Sequence, residues 1–451
     1  MNNEILLPEN APVRLTSAQL EELDYRKLYR AYSAKGRKSK VDPRVLFKVM
    51  AYGYQCGIYS SRKLEEACRY RVDFMWLLEE ESVPDHTTLA RFRTGRCAEA
   101  VEDLFYQYVA RLEQQGETDH GTVFVDGTKL ESRAGRYTFC WRKSVEKHLK
   151  TVRQKVVDMT GRKSLLGLKA YLEELEAGSS FVHGSGCRKS ETQRQWEKLD
   201  ELRCRWEEYE KSLEIMGPSR NSYSKTDPDA TFMRMKEDHM RNGQLKPAYN
   251  VQIAVNSEYI TGIEIFSDRT DLGTLVPFLE ELKRQHKGKY AEVTADAGYE
   301  SWDAFICAYG KKLSLRRETT ELVQGRPVTT SWYRCEDCTN CPHRSACCQA
   351  KDLAKPKEVV LKKTFWEMRA ASQENITTEH GIYLRMCRSI QVEGAFGLLK
   401  NDFGFRRFLT RGKTNIRTEL FFLALAYDLK KLWMKRENGR LKTHLSEITV
   451  A

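Results

Sequence analysis

The hydrophobic pattern of the chain changes period twice. From about Ser17 to Gly116 the apolar positions recur at helical spacing. Leu46, Val49, Met50 and Tyr54 form one stripe behind Asp42-Pro43, a pair suited to a helix start. Ser60-Ser61 caps a following helix with Leu64 and Cys68 inward, and Pro84-Asp85 opens another through Leu89 and Phe92 to Gly95. Residues 1–118 therefore read as a helical domain behind an irregular lead-in. At Thr122 the period shortens, and Thr122–Val125 reads as a buried strand closed by an Asp126-Gly127 turn. Residues 142–221 return to helical spacing. Leu165, Leu168, Tyr171, Leu172 and Leu175 mark one face, and Trp196, Leu199, Leu202, Trp206 and Tyr209 another, with a Gly/Ser break at 178–186 between them. A helical hairpin is expected there.

Strands resume at Tyr249–Val255 and Tyr259–Phe266, an alternating pair joined by a short turn. An amphipathic helix follows over 272–287, then a strand from Tyr290 to Thr294, a short helix over 301–309 and a strand over 312–315. The last helices are expected from Glu379 to Asn401 and from Thr414 to Lys435. With the insertion set aside, this is the element order of an α/β, RNase H-like fold, a mixed sheet flanked by helices. Its core would comprise residues 119–141 and 222–451, with a Cys-rich insertion at 330–372. One acid ends the first strand (Asp126), a second follows a later strand (Asp296), and a third lies on a late helix (Glu393). Alone, an Asp before Gly is most often a turn residue. Together, three carboxylates from separate elements suit two hard divalent ions acting on a phosphodiester. Gly394 and Gly397 weaken the helix around Glu393, which fits a close approach by backbone or ligand.

Composition narrows the partners. The chain has 451 residues, 41% hydrophobic and 31% charged, enough for a sizeable core. No apolar run approaches the ~18 residues of a membrane span, and the first residues lack a signal-peptide pattern. A net charge of +12 favours polyanions, nucleic acid first among them. Arg62, Arg69, Arg71, Arg91, Arg93 and Arg96 fall among the short N-terminal helices, which suits a helix-turn-helix-like DNA-binding domain.

The segments Val123-Phe124-Val125-Asp126-Gly127-Thr128-Lys129, Thr294-Ala295-Asp296-Ala297-Gly298-Tyr299-Glu300-Ser301 and Val392-Glu393-Gly394-Ala395-Phe396-Gly397-Leu398-Leu399-Lys400 resemble the acidic motifs of bacterial insertion-sequence transposases of the DDE class. The closest resemblance is to the group with a Cys-rich segment between the second and third acids. The resemblance runs from about Leu46 to Leu432. It implies cleavage of DNA at transposon ends and strand transfer into a target. It further implies Mg2+ (with Mn2+ able to substitute) held by Asp126, Asp296 and Glu393, and Lys400 on DNA phosphate near the cut. Lys129, Arg388, Arg406, Arg407 and Arg411 are the further DNA-contact candidates. Where related transposases carry a Tyr and an Arg before the Glu, this chain has Met386 and Ser389, with Arg385 and Arg388 only nearby. A hairpin intermediate is thus left open. Double-stranded DNA is the expected partner, a homodimer the expected assembly on two DNA ends, and the bacterial cytoplasm, with the nucleoid, the expected location. The competing readings are a transposase-derived DNA-binding protein without catalysis and an RNase H-like nuclease that does not join.

Of 13 cysteines, eight are scattered singly, as in reduced intracellular proteins. Cys335, Cys338, Cys341 and Cys347 follow a C-x2-C-x2-C-x5-C spacing, with His343 inside and Cys348 adjacent. Four such ligands suit a structural zinc, and the run also resembles iron–sulfur spacing.

Overall fold

A computed structural model of the protein describes residues 7–32, 39–182, 188–218, 220–235, 243–286, 290–295, 313–323, 326–335, 338, 341, 356–362 and 372–444. Two compact units emerge, Met1–Val293 with Gln391–Ala451, and Thr294–Ile390.

Among the described residues the larger unit opens with seven α-helices, α1 (Pro12–Glu21), α2 (Arg26–Arg30), α3 (Pro43–Gln55), α4 (Ser61–Tyr70), α5 (Val72–Leu77), α6 (His86–Arg91) and α7 (Val101–Gln114). The start of α3 is as its sequence dictates. Pro43 takes a first-turn position, where no N–H is missed, and the Asp42 carboxylate accepts the Arg44 amide. Strand β1 (Thr122–Glu131) is longer than expected. It runs through Asp126-Gly127, because Thr128 and Leu130 also face the core and every residue from Phe124 to Glu131 pairs with the strand beside it. Asp126 therefore lies inside a strand and not at a turn.

A short pair, β2 (Phe139–Trp141) with β3 (Ser222–Ser224), closes the neck of the helical insertion. The insertion holds three helices among the described residues, α8 (Arg142–Thr160), α9 (Leu165–Ala177) and α10 (Glu191–Met216), where a hairpin of two was expected. Gly161 takes a left-handed φ of 70° to end α8, and the Ser164 hydroxyl caps α9 by accepting from Gly167 N. Leu149, Val152 and Val156 of α8 meet Leu168 and Leu172 of α9 and Leu199, Leu202 and Trp206 of α10.

The main sheet adds β4 (Thr231–Arg234), β5 (Leu245–Asn256), β6 (Tyr259–Phe266) and, after α11 (Leu275–His286), β7 (Glu292–Thr294). β5 pairs antiparallel with β1 on one side and with β4 and β6 on the other, and β7 lies beyond β1. The β5–β6 turn puts Ser257 and Glu258 at φ 51° and 74°, a handedness that suits the strand twist and is unusual without Gly. Glu258 is secured from all sides. Its N–H donates to Gln391, its carbonyl accepts from Tyr427, and its carboxylate pairs with Lys431 and Arg440.

The smaller unit contains β8 (Leu313–Val323), β9 (Arg326–Cys335) and β10 (Glu358–Lys362), an antiparallel sheet in the order β10-β9-β8, and α12 (Glu379–Arg388). The strand expected over 312–315 thus extends to Val323 and pairs with β9, outside the main sheet. The short helix expected over 301–309 lies outside the described residues.

Back in the larger unit, α13 (Gly394–Gly397) lies between two π-helical turns, Ser389–Glu393 and Leu398–Asp402, and α14 (Lys413–Glu437) follows. α14 is buried on nearly every side. It packs against α1, α3 and α7 and also against β6. Phe422 meets Phe47 and Tyr54, with ring centroids 5.2 and 5.6 Å away, and Phe421 meets Phe105 at 5.5 Å. The N-terminal helices and the sheet therefore share one core through α14. The change near residue 118 is a change of element type, not a gap in packing.

Candidate active site

Residues directly opposite each other in an antiparallel pair share a face. Asp126 is opposite Ile253, Thr128 opposite Val251, and Leu130 opposite Tyr249. That face is roofed by the segment around α13 and by α14. Thr128, Leu130, Val251 and Ile263 on the sheet line a narrow cleft with Leu399 and Lys400 above them. Lys400 thus meets the strand two residues from Asp126, about 7 Å along the chain at the usual strand rise. Asp126 is half-buried, and its Oδ1 accepts the Gly127 amide at 2.7 Å.

The opposite face holds Asp126 in place. Gly127 is opposite Gln252, and Lys129 opposite Asn250. Asn250 and Gln252 are fully buried, and both side-chain amides donate to Asp271 at 2.8 Å. A Cβ built on Gly127 would lie 2.2 Å from Gln252 Nε2 and 2.8 Å from Asp271 Oδ1, so a side chain there requires that network to shift. This support was missed from the sequence, although polar residues alternating with Tyr249, Val251 and Ile253 in a buried strand were its signal.

Glu393 is exposed while its neighbours Val392 and Ala395 are buried. Gly394 and Gly397 have no described atom within 4 Å of where a Cβ would stand, so no part of the described chain accounts for them by close approach. A seven-residue spacing in an ideal α-helix puts Glu393 and Lys400 on one face. Here π-helical turns flank that spacing, Ser389–Glu393 before it and Leu398–Asp402 at its end. Glu393 faces solvent, and Lys400 is half-buried against Thr128.

β7 runs beside β1. Thr122 Oγ1 donates to Glu292 at 3.0 Å, and the amides of Ala291 and Glu292 donate to the carbonyls of His120 and Gly121. Asp296 comes two residues after β7 ends and lies outside the described residues.

The basic candidates divide by environment. Arg406 is exposed. Arg407 donates to the carbonyls of Ser132 and Ala134 and approaches Glu131 at 3.7 Å, tying its loop to the end of β1. Arg411 reaches the Arg133 carbonyl at 3.4 Å, and Lys129 the Arg234 carbonyl at 3.3 Å on the face opposite Asp126. Arg388, in the smaller unit, is half-buried. Among the N-terminal arginines, Arg69 pairs with Glu65 and Arg71 with Asp73, Arg96 stacks on Tyr32, and Arg93 is buried. Arg62 and Arg91 are exposed and pair with no acid among the described residues.

At the Cys-rich segment, buried Cys335 ends β9, and its amide donates to Lys357 O at 2.9 Å. The Lys357 amide in turn donates to Cys338 Sγ at 3.4 Å. The β9–β10 pairing thus returns the chain to the first two cysteines, and Cys341 is half-buried. Cys347, His343 and Cys348 lie outside the described residues. Among the described residues, no three acids, cysteines or histidines converge to hold a metal ion, and each expected set has a member outside them.

No helix of the described residues is long and apolar enough to cross a membrane. Neither a curated protein nor a solved structure matches the chain. Two family models do. Residues 2–95 match a Transposase domain (DUF772), and residues 306–433 match a Transposase DDE domain. The first covers the helices through α6, and the second includes Glu393 and Lys400 but begins beyond Asp126 and Asp296. The DDE domain carries with it an RNase H-like core, which agrees with a mixed sheet in which β1 lies between β5 and β7. Transposase domains are thus matched in both the N-terminal and the C-terminal part of the chain, which indicates an insertion-sequence transposase of the DDE class.

Proposed function

We propose that the protein cuts DNA at the ends of its element and joins the freed ends to target DNA, with Asp126, Asp296 and Glu393 as the acids of the site. The observation that carries this reading is the position of Asp126. It occupies an inner strand, on the face roofed by the segment of Glu393 and Lys400, and next to the strand that leads into Asp296. The donor set is all carboxylate, which fits Mg2+ or Mn2+ better than a thiophilic metal. When bound, the ions supply an activated water or 3′-hydroxyl and stabilise the leaving oxygen.

The residues of the chain do the rest. Asp126 is held rigid by the strand and by the Asn250–Gln252–Asp271 network beneath Gly127. Exposed Glu393, between two glycines' worth of open surface and the solvent, leaves room for a duplex. Lys400 offers an ammonium group at the roof of the same face, suited to a phosphate oxygen. Arg406 and Arg411 are candidates for the DNA backbone further along, while Arg407 anchors their loop. Two DNA ends call for two active sites, hence a homodimer on DNA. Its substrate places the protein in the bacterial cytoplasm with the nucleoid. In the smaller unit, Cys335, Cys338, Cys341 and Cys347 would form a structural zinc site, and the amide-to-sulfur bond at Cys338 is the kind of support such a thiolate receives.

The test is a cleavage and joining assay on DNA carrying the element's ends, with Mg2+, comparing wild type with Asp126→Asn, Asp296→Asn and Glu393→Gln. Each substitution should lower both products by about 10³-fold or more while DNA binding persists. Cutting without joined product would mean a nuclease, and full activity in any one variant would remove that acid from the site.

A further inference from the structure

We propose that a cleft on the larger unit, separate from the three acids, grips the DNA backbone about five base pairs from the cut. The cleft measures about 610 Å3 and lies between the starts of α4 and α6 on one side and the end of β1 with the 407–409 loop on the other. This inference rests on the DNA-cutting reading above and assigns residues that reading does not use, Arg62 and Arg133.

Arg62, Arg93, Arg133, Arg407 and His86 line the cleft together with hydroxyl groups such as Thr87, and among the described residues no carboxylate lines it. The nearby acids are already engaged. Glu65 pairs with His86 and Arg69, and Glu131 pairs with Lys246 and Arg136 as well as Arg407. Arg62 and Arg133 are exposed, and Arg133 is steadied by donating to Leu409 O at 2.7 Å. Such a set of guanidinium and hydroxyl donors matches phosphate oxygens.

One buried donor at the cleft is unmet among the described residues. Arg93 is only 6% exposed, its Nη1 donates to Tyr59 O at 2.8 Å, and its Nε has no hydrogen-bond partner among the described residues. Buried Glu419 and the Tyr54 hydroxyl share the neighbourhood, and Glu419 offsets part of the Arg93 charge, yet among the described residues that N–H stays unsatisfied. An unmet buried donor costs stability, a cost offset when an anion enters the cleft.

The distance from Asp126 to the cleft suits a duplex. Arg407 bridges to Glu131, five residues along β1 from Asp126. At about 3.3 Å per residue, this is roughly 17 Å. Duplex DNA advances 3.4 Å per base pair, so a duplex lying along β1 would bring a phosphate to the cleft about five base pairs from the scissile one.

The experiment measures binding of a duplex carrying the element's end by fluorescence anisotropy across a salt series. Wild type is compared with Arg62→Ala and with Arg62→Ala/Arg133→Ala, and each duplex is offered with and without the pairs more than four from the cut on either side. The double variant should lower the slope of log K against log salt by about 1.8, and Arg62→Ala alone by about 0.9. Trimming the duplex should weaken wild type and leave the double variant almost unaffected. Arg62 is exposed, so its single variant decides the matter even if the double variant fails to fold. A slope equal to wild type in that variant, with DNA still bound, overturns the cleft and leaves the cutting site standing. Failure of wild type to bind any duplex overturns both.

Discussion

A side chain at position 127 would displace a buried polar network. The Gln252 amide and the Asp271 carboxylate occupy the space where a Cβ would go, and the strand cannot yield without moving Asp126 beside it. Gly127→Ala should therefore cost about 1–3 kcal/mol in urea denaturation and lower DNA cleavage well beyond that loss of folded protein. Equal stability and activity would mean that the amide network simply swings aside. The same residue marks the limit of what the sequence revealed. Asp-Gly is a common turn signal, so β1 was expected to stop at Val125, even though Thr128 and Leu130 continue its alternation. The acid itself was legible from its motif. Its position within a strand was not, because the reason for the glycine is a buried amide 125 residues away in the chain.

At the scale of elements, α14 carries two buried acids whose roles differ from those of the catalytic candidates. Glu419 accepts the amides of Leu409 and Thr410 and fixes the loop of Arg406 and Arg407. Asp428 accepts the Ile260 amide at 2.8 Å and is fully buried. Burial pushes both carboxyls above their ordinary range, Asp428 by far the more. In the window between the unfolded and folded pKa the native state holds the extra proton. Their stabilising contribution is therefore complete below about pH 4 and is lost as pH rises through the folded values. Asp428→Asn keeps an acceptor for Ile260 and removes the titration. Its stability relative to wild type should rise with pH above about 4, by about 1.4 kcal/mol for each unit of the shift. A difference that stays flat from pH 4 to 7 would show that Asp428 ionises as readily in the folded protein as in the unfolded chain. Other elements show why hydrophobic period reads only part of a fold. β8 was expected to be four residues long because Arg316 to Glu321 are all exposed, and its pairing rests on contacts that leave no apolar stripe, such as Arg317 over Trp332 and Arg316 with Glu358. In the insertion the signal is local and not carried by hydrophobic period. Gly161 followed by Ser164 is a helix stop and a helix start, and three helices follow from it.

Over the larger unit as a whole, α14 is the shared core. Phe422→Ala should cost about 3–5 kcal/mol and loosen both sides of that helix at once. Hydrogen exchange should speed up in α3 and in β6 together. Loosening confined to α3 would show that the N-terminal helices are a separate folding unit.

That arrangement bears on how the protein is made. α7 ends at Gln114 and α14 begins at Lys413, so a ribosome must add roughly 300 residues, about 15 to 60 s of synthesis, before the first helices meet the partner that covers their apolar side. A copy of the gene interrupted anywhere in that stretch yields helices with bare greasy flanks, prey for proteases and chaperones. Broken copies of the element would then be silent, leaving no lasting fragment to occupy DNA ends and compete with the intact enzyme.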